Sequence, residues 1–379
     1  MRRQTHIQLA QGGPQMSILQ LAAKCTPTEW QVPLELSPLP IQGSDRGLWI
    51  DPVAFIDALN GWELAQWAIR TAQCLQFWKL PKPPGPGAPR IYQDESVLLT
   101  SLVAGAWRLS YERITEWLAR YDALAETLGY HQFDELGRRR TVSLAQYSRR
   151  LRELGLLPYF LIFVALVTAL LKMGVIKGWD LIIDSSLLAA WYHHDPDAAW
   201  SWPSPHKGRV FGYKVHTILC RWSYLPLLFV VTPANANDGP LAIPMFATVM
   251  LLYHLRILIV RADAAYFNYA FLGFVRDVLH ASVNVDYNLR RQGKRFLADL
   301  FFIRQWRDLM SPRANIERHF AWLKRYFGLK YFRVQRYFAV CQFVFRVYIA
   351  ALVVAFIAAR CQRPELATSR LKVLAFVNT

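Results

Sequence analysis

The feature that most constrains the fold is a change in the spacing of apolar residues near Gly178. Before it, over residues 93–155, apolar side chains recur with a period close to that of an α-helix. After it, short apolar or alternating runs bounded by turn residues indicate strands, beginning with WDLIID, which ends at Asp184. The chain is therefore predicted to contain an α/β sheet preceded by a mostly helical region.

The strand region is predicted to follow the order βββαβαβ and to end with a helix around Glu317, with helices on the faces of the sheet. The predicted strands are WDLIID, RVFGYKVHTILCRW, YLPLLFVVTP, RILIVRAD and ASVNVDYNL. The predicted intervening helices are PLAIPMFATVMLLYHL and AYFNYAFLGFVRDVLH.

Proline and glycine positions suggest where the chain divides. Residues 1–50 are predicted to be a loosely ordered lead, because they are rich in Pro, Gly and Gln. A helix is predicted from Asp51 to about Trp78, and the breaker LPKPPGPGAPR follows it. The predicted units are a helical domain at 51–175, a sheet domain at 176–335 and a C-terminal helix and tail at 336–379 that pack on the core.

The charge balance points to a polyanionic partner. Lys and Arg number 44 against 27 Asp and Glu, which gives a formal net charge of +17. Such an excess favours nucleic acid or an anionic membrane surface, and the alternative is a basic protein with a solvated charged surface.

Two long apolar runs raise the question of a membrane. The run at residues 156–171 contains Pro158 and is shorter than a span requires. The run at residues 338–359 carries Arg346 near its centre, where a charge is costly in lipid. Both runs are predicted to be buried helices of a soluble protein, so no membrane partner is expected.

The cysteines and the N-terminus favour a cytoplasmic location. The 5 cysteines are scattered and include no CxxC pair, so neither a zinc site nor a disulfide framework is indicated. The first residues carry two arginines with no apolar segment after them, which is not the pattern of a signal peptide.

Three acids form the strongest candidate site. Asp184 and Asp263 end the first and fourth predicted strands, whose carboxyl ends meet in one crevice if the strands are parallel neighbours. The last helix could bring Glu317 alongside. Converging carboxylates repel one another unless cations lie between them, and oxygen ligands suit Mg²⁺ or Mn²⁺. Two such ions can act together on a phosphodiester.

The helix around Glu317 supports this interpretation. Arg313, Glu317 and Lys324 fall on one helical face, so the acid is flanked by two cations that could contact phosphate. The alternative is an ordinary ion pair between Arg313 and Glu317 on an exposed helix.

Local patterns give three smaller predictions. Ser143 is predicted to cap a helix whose Arg149, Arg150 and Arg152 form a basic edge. Asp238 is predicted to cap the helix that follows it. The acid and histidines of the HHD sequence ending at Asp195 are interpreted as loop residues, because adjacent side chains point apart.

Several motifs of the chain form an ordered series. They are LIIDSS, FGYKVHTIL with Gly212, Lys214 and His216, TPANANDGP, DAAY from Asp263 to Tyr266, and an Arg-x3-Glu-x6-Lys signature formed by Arg313, Glu317 and Lys324.

In this order the motifs resemble those of the DDE transposases of bacterial insertion sequences, of the type with a Tyr-Arg-Glu-Lys signature. The resemblance covers roughly residues 179–360. Met310 stands where the family signature has Tyr, and Ala264 and Ala265 stand where many relatives have Lys-Gly.

The resemblance implies an RNase H-like mixed sheet in the order βββαβαβα. It implies that Asp184, Asp263 and Glu317 bind two Mg²⁺ or Mn²⁺ ions. The residues implied to contact DNA are Arg313, Lys324, Lys214, Tyr266, Arg318 and Arg325. Tyr266 is equally consistent with a core aromatic residue, and His216 is predicted to be a half-buried structural residue on its strand.

The implied function is a DNA transposase that cuts transposon ends and joins the 3′-hydroxyl to target DNA. Its partners would be terminal inverted repeats and target DNA in the bacterial nucleoid, with a dimer in the DNA-bound complex. By the same analogy, the helical domain at 51–175 would bind the transposon ends. Two alternatives are a catalytically inactive, transposase-derived DNA-binding protein and a metal-dependent nuclease on the same core.

Overall fold

The computed structural model describes residues 92–202, 208–285, 313–330, 332–370 and 372–373. The predicted N-terminal lead, the helix from Asp51 and the linker after it lie outside the described residues, as does Met310.

Five helices precede the sheet in the described part of the chain. They are α1 (Asp94–Trp107), α2 (Tyr111–Arg120), α3 (Asp122–Thr127), α4 (Leu144–Leu154) and α5 (Leu157–Lys172). The predicted cap of α4 is confirmed, because Ser143 Oγ accepts from the backbone N–H of Gln146 while the Gln146 side chain accepts from the N–H of Ser143.

The basic edge predicted on α4 is wrong at one position. Arg149 and Arg152 are exposed, but Arg150 is buried and forms ion pairs with Asp94 and Glu153. A guanidinium can be buried in this way when carboxylates replace its water. Arg150 therefore ties α4 to the start of α1.

The strand region forms a mixed sheet, which confirms the predicted α/β class. Its strands are β1 (Asp180–Ala189), β2 (Ala199–Trp200), β3 (Phe211–Cys220), β4 (Pro226–Pro233), β5 (Ile259–Ala262) and β6 (Ser282–Val285). In space, β3 lies between β4 and β1 with antiparallel pairing, and β5 and β6 continue the sheet in parallel from β1. The short β2 pairs with the start of β3.

The connections contain α6 (Gly239–Tyr253) before β5 and a broken helical segment after it. That segment was predicted as one helix. It consists of a 3₁₀ turn (Ala264–Tyr266), α7 (Tyr269–Gly273) and a π turn (Phe274–Val278). The break has a local cause, because Asn268 adopts an extended backbone and its side chain accepts from the N–H of Phe271, which starts a new helix.

The last helices are α8 (Ala314–Tyr326) and α9 (Tyr337–Arg360). Helix α9 packs against α5 and α1 and also reaches β4. The ring of Phe229 on β4 lies 4.3 Å from that of Tyr348 and 4.6 Å from that of Phe345, both on α9. The helices and the sheet of the described residues thus share one apolar core.

Helix α9 is long and apolar enough to cross a membrane, and α4 with α5 would pass the same test as a pair bent by 69°. However, 89% of the apolar window of α9 is buried inside the protein. The prediction that both apolar runs are buried helices is confirmed, since α5 is also largely buried.

A buried ion cluster lies at the start of the parallel pair. Asp180 on β1 is fully buried and accepts from Nε and Nη2 of Arg261 on β5, at 2.9 and 3.2 Å. Arg221 donates to the same carboxylate at 2.9 Å. Because a buried carboxylate needs such partners, this cluster favours one alignment of β1 with β5.

Gly212 allows a close approach between the backbones of β3 and β1. Its φ is 155°, and a Cβ added there would lie 2.0 Å from the carbonyl oxygen of Leu188 and 2.6 Å from the nitrogen of Ala190. Both are backbone atoms, so no side-chain adjustment can relieve the contact.

We therefore expect Gly212→Ala to lower the free energy of unfolding by about 3 kcal/mol or more, because the strands must separate to admit a methyl group. Urea denaturation measures this change. The matched control is Gly137→Ala, where φ is 70° and no atom lies within 4 Å of the added Cβ. Its cost should be only about 1 kcal/mol. Equal losses in the two variants would contradict the close-approach explanation.

His319 gives the fold a dependence on pH. It is buried on α8, where burial lowers its pKa to about 3 although the carbonyl of Tyr224 accepts a hydrogen bond from Nδ1 at 3.0 Å. Between that value and the ordinary pKa of 6.5, the unfolded chain binds a proton that the folded chain does not. Stability should therefore fall as the pH falls below 6.5, by at most about 1.4 kcal/mol per pH unit from this residue.

His319→Gln should remove this dependence on pH. Between about pH 8 and about pH 4, the free energy of unfolding of the variant should therefore fall less than that of the wild type. Urea denaturation across that range provides the measurement. The exposed His131→Gln is the control and should keep the wild-type dependence. Parallel curves for the wild type and His319→Gln would rule out the assignment.

Candidate active site

Two of the predicted acids lie side by side because β1 and β5 are parallel. The pairing of these strands ends at Ile183 and Ala262, and Asp184 and Asp263 are the next residues. Asp184 was predicted to end its strand, which is wrong. Strand β1 continues to Ala189 because β3 still pairs with it beyond the end of β5.

Each of the two carboxylates is oriented by the backbone N–H of the following residue. Asp184 Oδ1 accepts from Ser185 at 2.7 Å, and Asp263 Oδ1 accepts from Ala264 at 2.6 Å. In both cases the second oxygen, Oδ2, faces Arg313. One oxygen of each acid is thus held in place, and the other is directed into the same space.

Helix α8 brings Glu317 to this space. Nη1 of Arg313 lies 3.7 Å from Asp184 Oδ2 and 3.9 Å from Asp263 Oδ2, while its Nη2 lies 3.9 Å from Glu317 Oε1. The three acids from β1, the end of β5 and α8 therefore surround one guanidinium. The ion pair between Arg313 and Glu317 is real, but it is one of three such contacts.

Lys324 anchors the other end of the same helical face. Its Nζ donates to Ser186 Oγ on β1 at 2.7 Å. Ile316 and Leu323 on the buried side of α8 are fully covered. The helix is thus held against β1 by apolar packing and by a polar contact two residues beyond Asp184.

The three carboxylates differ in exposure, with side-chain values of 16% for Asp184, 42% for Asp263 and 67% for Glu317. Burial raises the pKa of Asp184 to about 7, and the negative charge of Asp263 adds to this, against the lowering effects of the Ser185 N–H and Arg313. The guanidinium of Arg313 therefore balances only part of the negative charge of the three carboxylates.

The donor chemistry fits divalent cations, because carboxylate oxygens are the ligands that Mg²⁺ and Mn²⁺ prefer. Over residues 92–373, apart from the stretches that the structure does not describe, no group of three His, Cys, Asp or Glu side chains is close enough to form a metal cluster. Arg313 lies in the space between the acids. Metal binding would therefore require Arg313 to move away from at least part of that space.

A polar cluster lies behind the acids. Lys214 Nζ donates to Asp238 Oδ1 at 2.9 Å and to the carbonyl of Ala236 at 2.8 Å. Asp238 was predicted to cap α6, which is wrong. Its side chain makes no capping hydrogen bond and pairs with Lys214 instead. Lys214 is correspondingly only 12% exposed.

His216 is fully buried rather than half-buried as predicted. Its Nε2 is 2.9 Å from Thr232 Oγ1, and its Nδ1 lies 3.4 Å from Asp238 Oδ1. Burial lowers its pKa to about 4, although the charge of Asp238 opposes this. His216 is therefore neutral near neutral pH and acts as packing behind the site.

Tyr266 lies in the core, which agrees with its alternative interpretation as a core aromatic residue. Its side chain is fully buried and contributes to the apolar core, and its hydroxyl has no hydrogen-bond partner within the described ranges of the chain. Arg318 and Arg325 are exposed on α8, and the guanidinium of Arg325 lies 5.4 Å from the ring centre of Tyr326.

Two supporting residues were not predicted from the sequence. Ser186 receives Lys324, and a serine two residues after an acid carries no distinctive signal. Asp195, interpreted as a loop residue, is buried and accepts from the Tyr213 hydroxyl at 2.7 Å and from the Arg336 N–H at 3.0 Å. It fastens the loop after β1 to the start of α9.

Comparison with known families agrees with this geometry. Residues 177–353 match the family described as the transposase DDE domain, a range that contains Asp184, Asp263 and Glu317. No curated protein and no solved structure matches the chain. Residues 177–353 are therefore similar to a transposase DDE domain, which supports a relationship to the DDE transposases of insertion sequences.

Proposed function

We propose that the protein cuts transposon ends and joins the 3′-hydroxyl to target DNA by metal-dependent phosphoryl transfer. The observation that supports this most is the convergence of Asp184, Asp263 and Glu317 around Arg313. The acids come from three elements far apart in sequence, and their shared space has negative charge to offset.

In this proposal Asp184, Asp263 and Glu317 hold two Mg²⁺ or Mn²⁺ ions. When bound, such ions activate the attacking oxygen and stabilise the leaving oxygen of a phosphodiester. The protein's part is to present the ligand oxygens from a fixed edge of the sheet. The N–H groups of Ser185 and Ala264 keep one oxygen of each aspartate oriented before substrate arrives.

Arg313 and Lys324 are proposed to contact the phosphate at the cut, in keeping with a signature of the Tyr-Arg-Glu-Lys type. A guanidinium released from the acids can bind two phosphate oxygens at once. Lys324 is held on the same face of α8 by Ser186 and can place its ammonium group nearby. The exposed Arg318 and Arg325 would bind the DNA backbone without reading sequence.

Lys214 and Tyr266 are proposed to influence DNA contacts from behind the site, because both are largely covered. The helical region at 51–175 would read the terminal inverted repeats. Two ends must be brought together, so a dimer is proposed in the DNA-bound complex, acting in the bacterial nucleoid.

Asp184→Asn and Glu317→Gln should each reduce DNA joining by roughly a hundredfold or more, because each removes a ligand worth several kcal/mol of transition-state stabilisation. A strand-transfer assay with Mg²⁺ and labelled DNA ends measures this loss. Asp277→Asn is the matched control, since Asp277 is an exposed acid paired with Arg276, and it should retain full activity.

The metal-free melting temperature of Asp184→Asn should equal or exceed that of the wild type near neutral pH, because the charged form of Asp184 is disfavoured by its surroundings. A loss of activity in a variant that is still folded then reflects a loss of catalysis and not of folding. Undiminished joining in either acid variant would refute the assignment. Cutting without joining in the wild type would indicate a nuclease, and DNA binding without cutting would indicate an inactive relative.

Arg318→Gln and Arg325→Gln should weaken DNA binding similarly for all sequences. Each should also reduce the slope of log affinity against log salt by about one, because one fewer counterion is released. Fluorescence anisotropy over a salt series provides the measurement. The control is Arg138→Gln, which removes an exposed cation from the loop before α4. An unchanged slope in both α8 variants would exclude this face from the DNA interface.

A further inference from the structure

Arg346 is a buried cation without a counterion in the part of the chain that the structure describes. It lies on α9 with 3% exposure, and its Nε has no hydrogen-bond partner among the described residues. Its Nη2 lies 3.4 Å from the Tyr111 hydroxyl, and its guanidinium lies 5.1 Å from the ring centre of Tyr111 and 5.7 Å from that of Phe343. Among the described residues no carboxylate forms an ion pair with it. A buried charge is costly without such a partner, so this position favours an anion.

A cavity lies beside Arg346. Its volume is about 740 Å³, and it is bounded by the end of α1, the start of α2 and the segment between α8 and α9. Arg108, Arg113 and Arg333 also line it, while Glu112 is the one acid among the described lining residues. The cavity is therefore strongly positive, and none of the three active-site acids borders it.

The start of α2 adds to this positive potential. Ser110, Tyr111, Glu112 and Arg113 all line the cavity, and they are the N-cap and first turn of a ten-residue helix. The first N–H groups of a helix have no partners within the helix, and its dipole favours negative charge at this end. Phosphate groups bind at such helix ends.

Four aromatic side chains line the cavity together with aliphatic residues. Tyr111, Tyr192, Phe327 and Phe343 border the cavity. At its rim, the guanidinium of Arg333 lies 4.8 Å from the ring centre of Trp191, which is 48% exposed. Aromatic rings and arginine planes are the surfaces on which nucleobases stack. The volume falls within the roughly 300–1,000 Å³ that is typical of small-ligand sites.

We propose that this cavity binds a phosphate-bearing nucleotide, with the phosphate near Arg346 and the start of α2 and the base against the aromatic side chains. The nucleotide is either free in solution or an unpaired residue of a DNA strand. The proposal does not depend on chemistry at Asp184, Asp263 and Glu317.

Isothermal titration calorimetry of the full chain at fixed ionic strength tests this site. The probes are thymidine 5′-monophosphate, thymidine without phosphate, and a short single-stranded oligothymidylate. We expect thymidine to bind far more weakly than the monophosphate. Arg113→Gln and Arg333→Gln should each weaken phosphate-dependent binding on the order of tenfold, because each removes a charged contact.

Arg346→Met should weaken phosphate-dependent binding further. Circular dichroism of this variant establishes whether the protein still folds. The two exposed variants keep the test valid if Arg346→Met does not fold. The matched control is Arg138→Gln, which removes one exposed cation outside the cavity. Asp184→Asn should bind the probes like the wild type, so failure at the active site and failure here are separate results.

Tighter binding of the oligonucleotide than of the monophosphate would identify a DNA strand as the source, and the reverse order would identify a free nucleotide. Either result supports the site if the cavity variants lose it and Arg138→Gln does not. Absence of phosphate-dependent binding, or equal losses in Arg138→Gln and the cavity variants, would overturn the proposal.

Discussion

The parallel pairing of β1 with β5 is the constraint on which the candidate active site depends. It ends one residue before Asp184 and one residue before Asp263, so a shift of either strand would separate the two acids. The buried cluster of Asp180, Arg261 and Arg221 stands at the other end of the pair and would lose its partners in any other alignment. The buried ion cluster at the start of the two strands thus helps to determine where Asp184 and Asp263 lie at their other end.

Ion pairs also hold together the other charged residues of the candidate site. Arg313 lies among three carboxylates, and Lys214 neutralises Asp238 behind them. The site therefore carries its own cations. Under the proposed function, substrate phosphate would compete with the carboxylates for Arg313, and the carboxylates would then be available to metal ions. Both exchanges follow from the same electrostatic balance.

Much of this arrangement could be predicted from the sequence, because strand periodicity locates the acids and helical spacing places Arg313, Glu317 and Lys324 on one face. The failures concern partners chosen in three dimensions. Asp238 looked like a helix cap, but Lys214 on the neighbouring strand competes for it. Arg150 was predicted to be exposed, but it is buried and pairs with Asp94, which is distant in sequence. No local pattern records such long-range pairs, nor the cavity beside Arg346.

The closeness of α1 to α9 bears on how this protein could be divided into fragments. A Cβ on Gly105 would lie 2.7 Å from the Cβ of Arg346, so the two backbones are nearly in contact. The DDE match stops at residue 353, inside α9, although that helix is covered by elements upstream of the match. Separating residues 177–353 from the preceding helices would expose the part of α9 that they cover, so residues 94–172 would have to be kept with the matched segment.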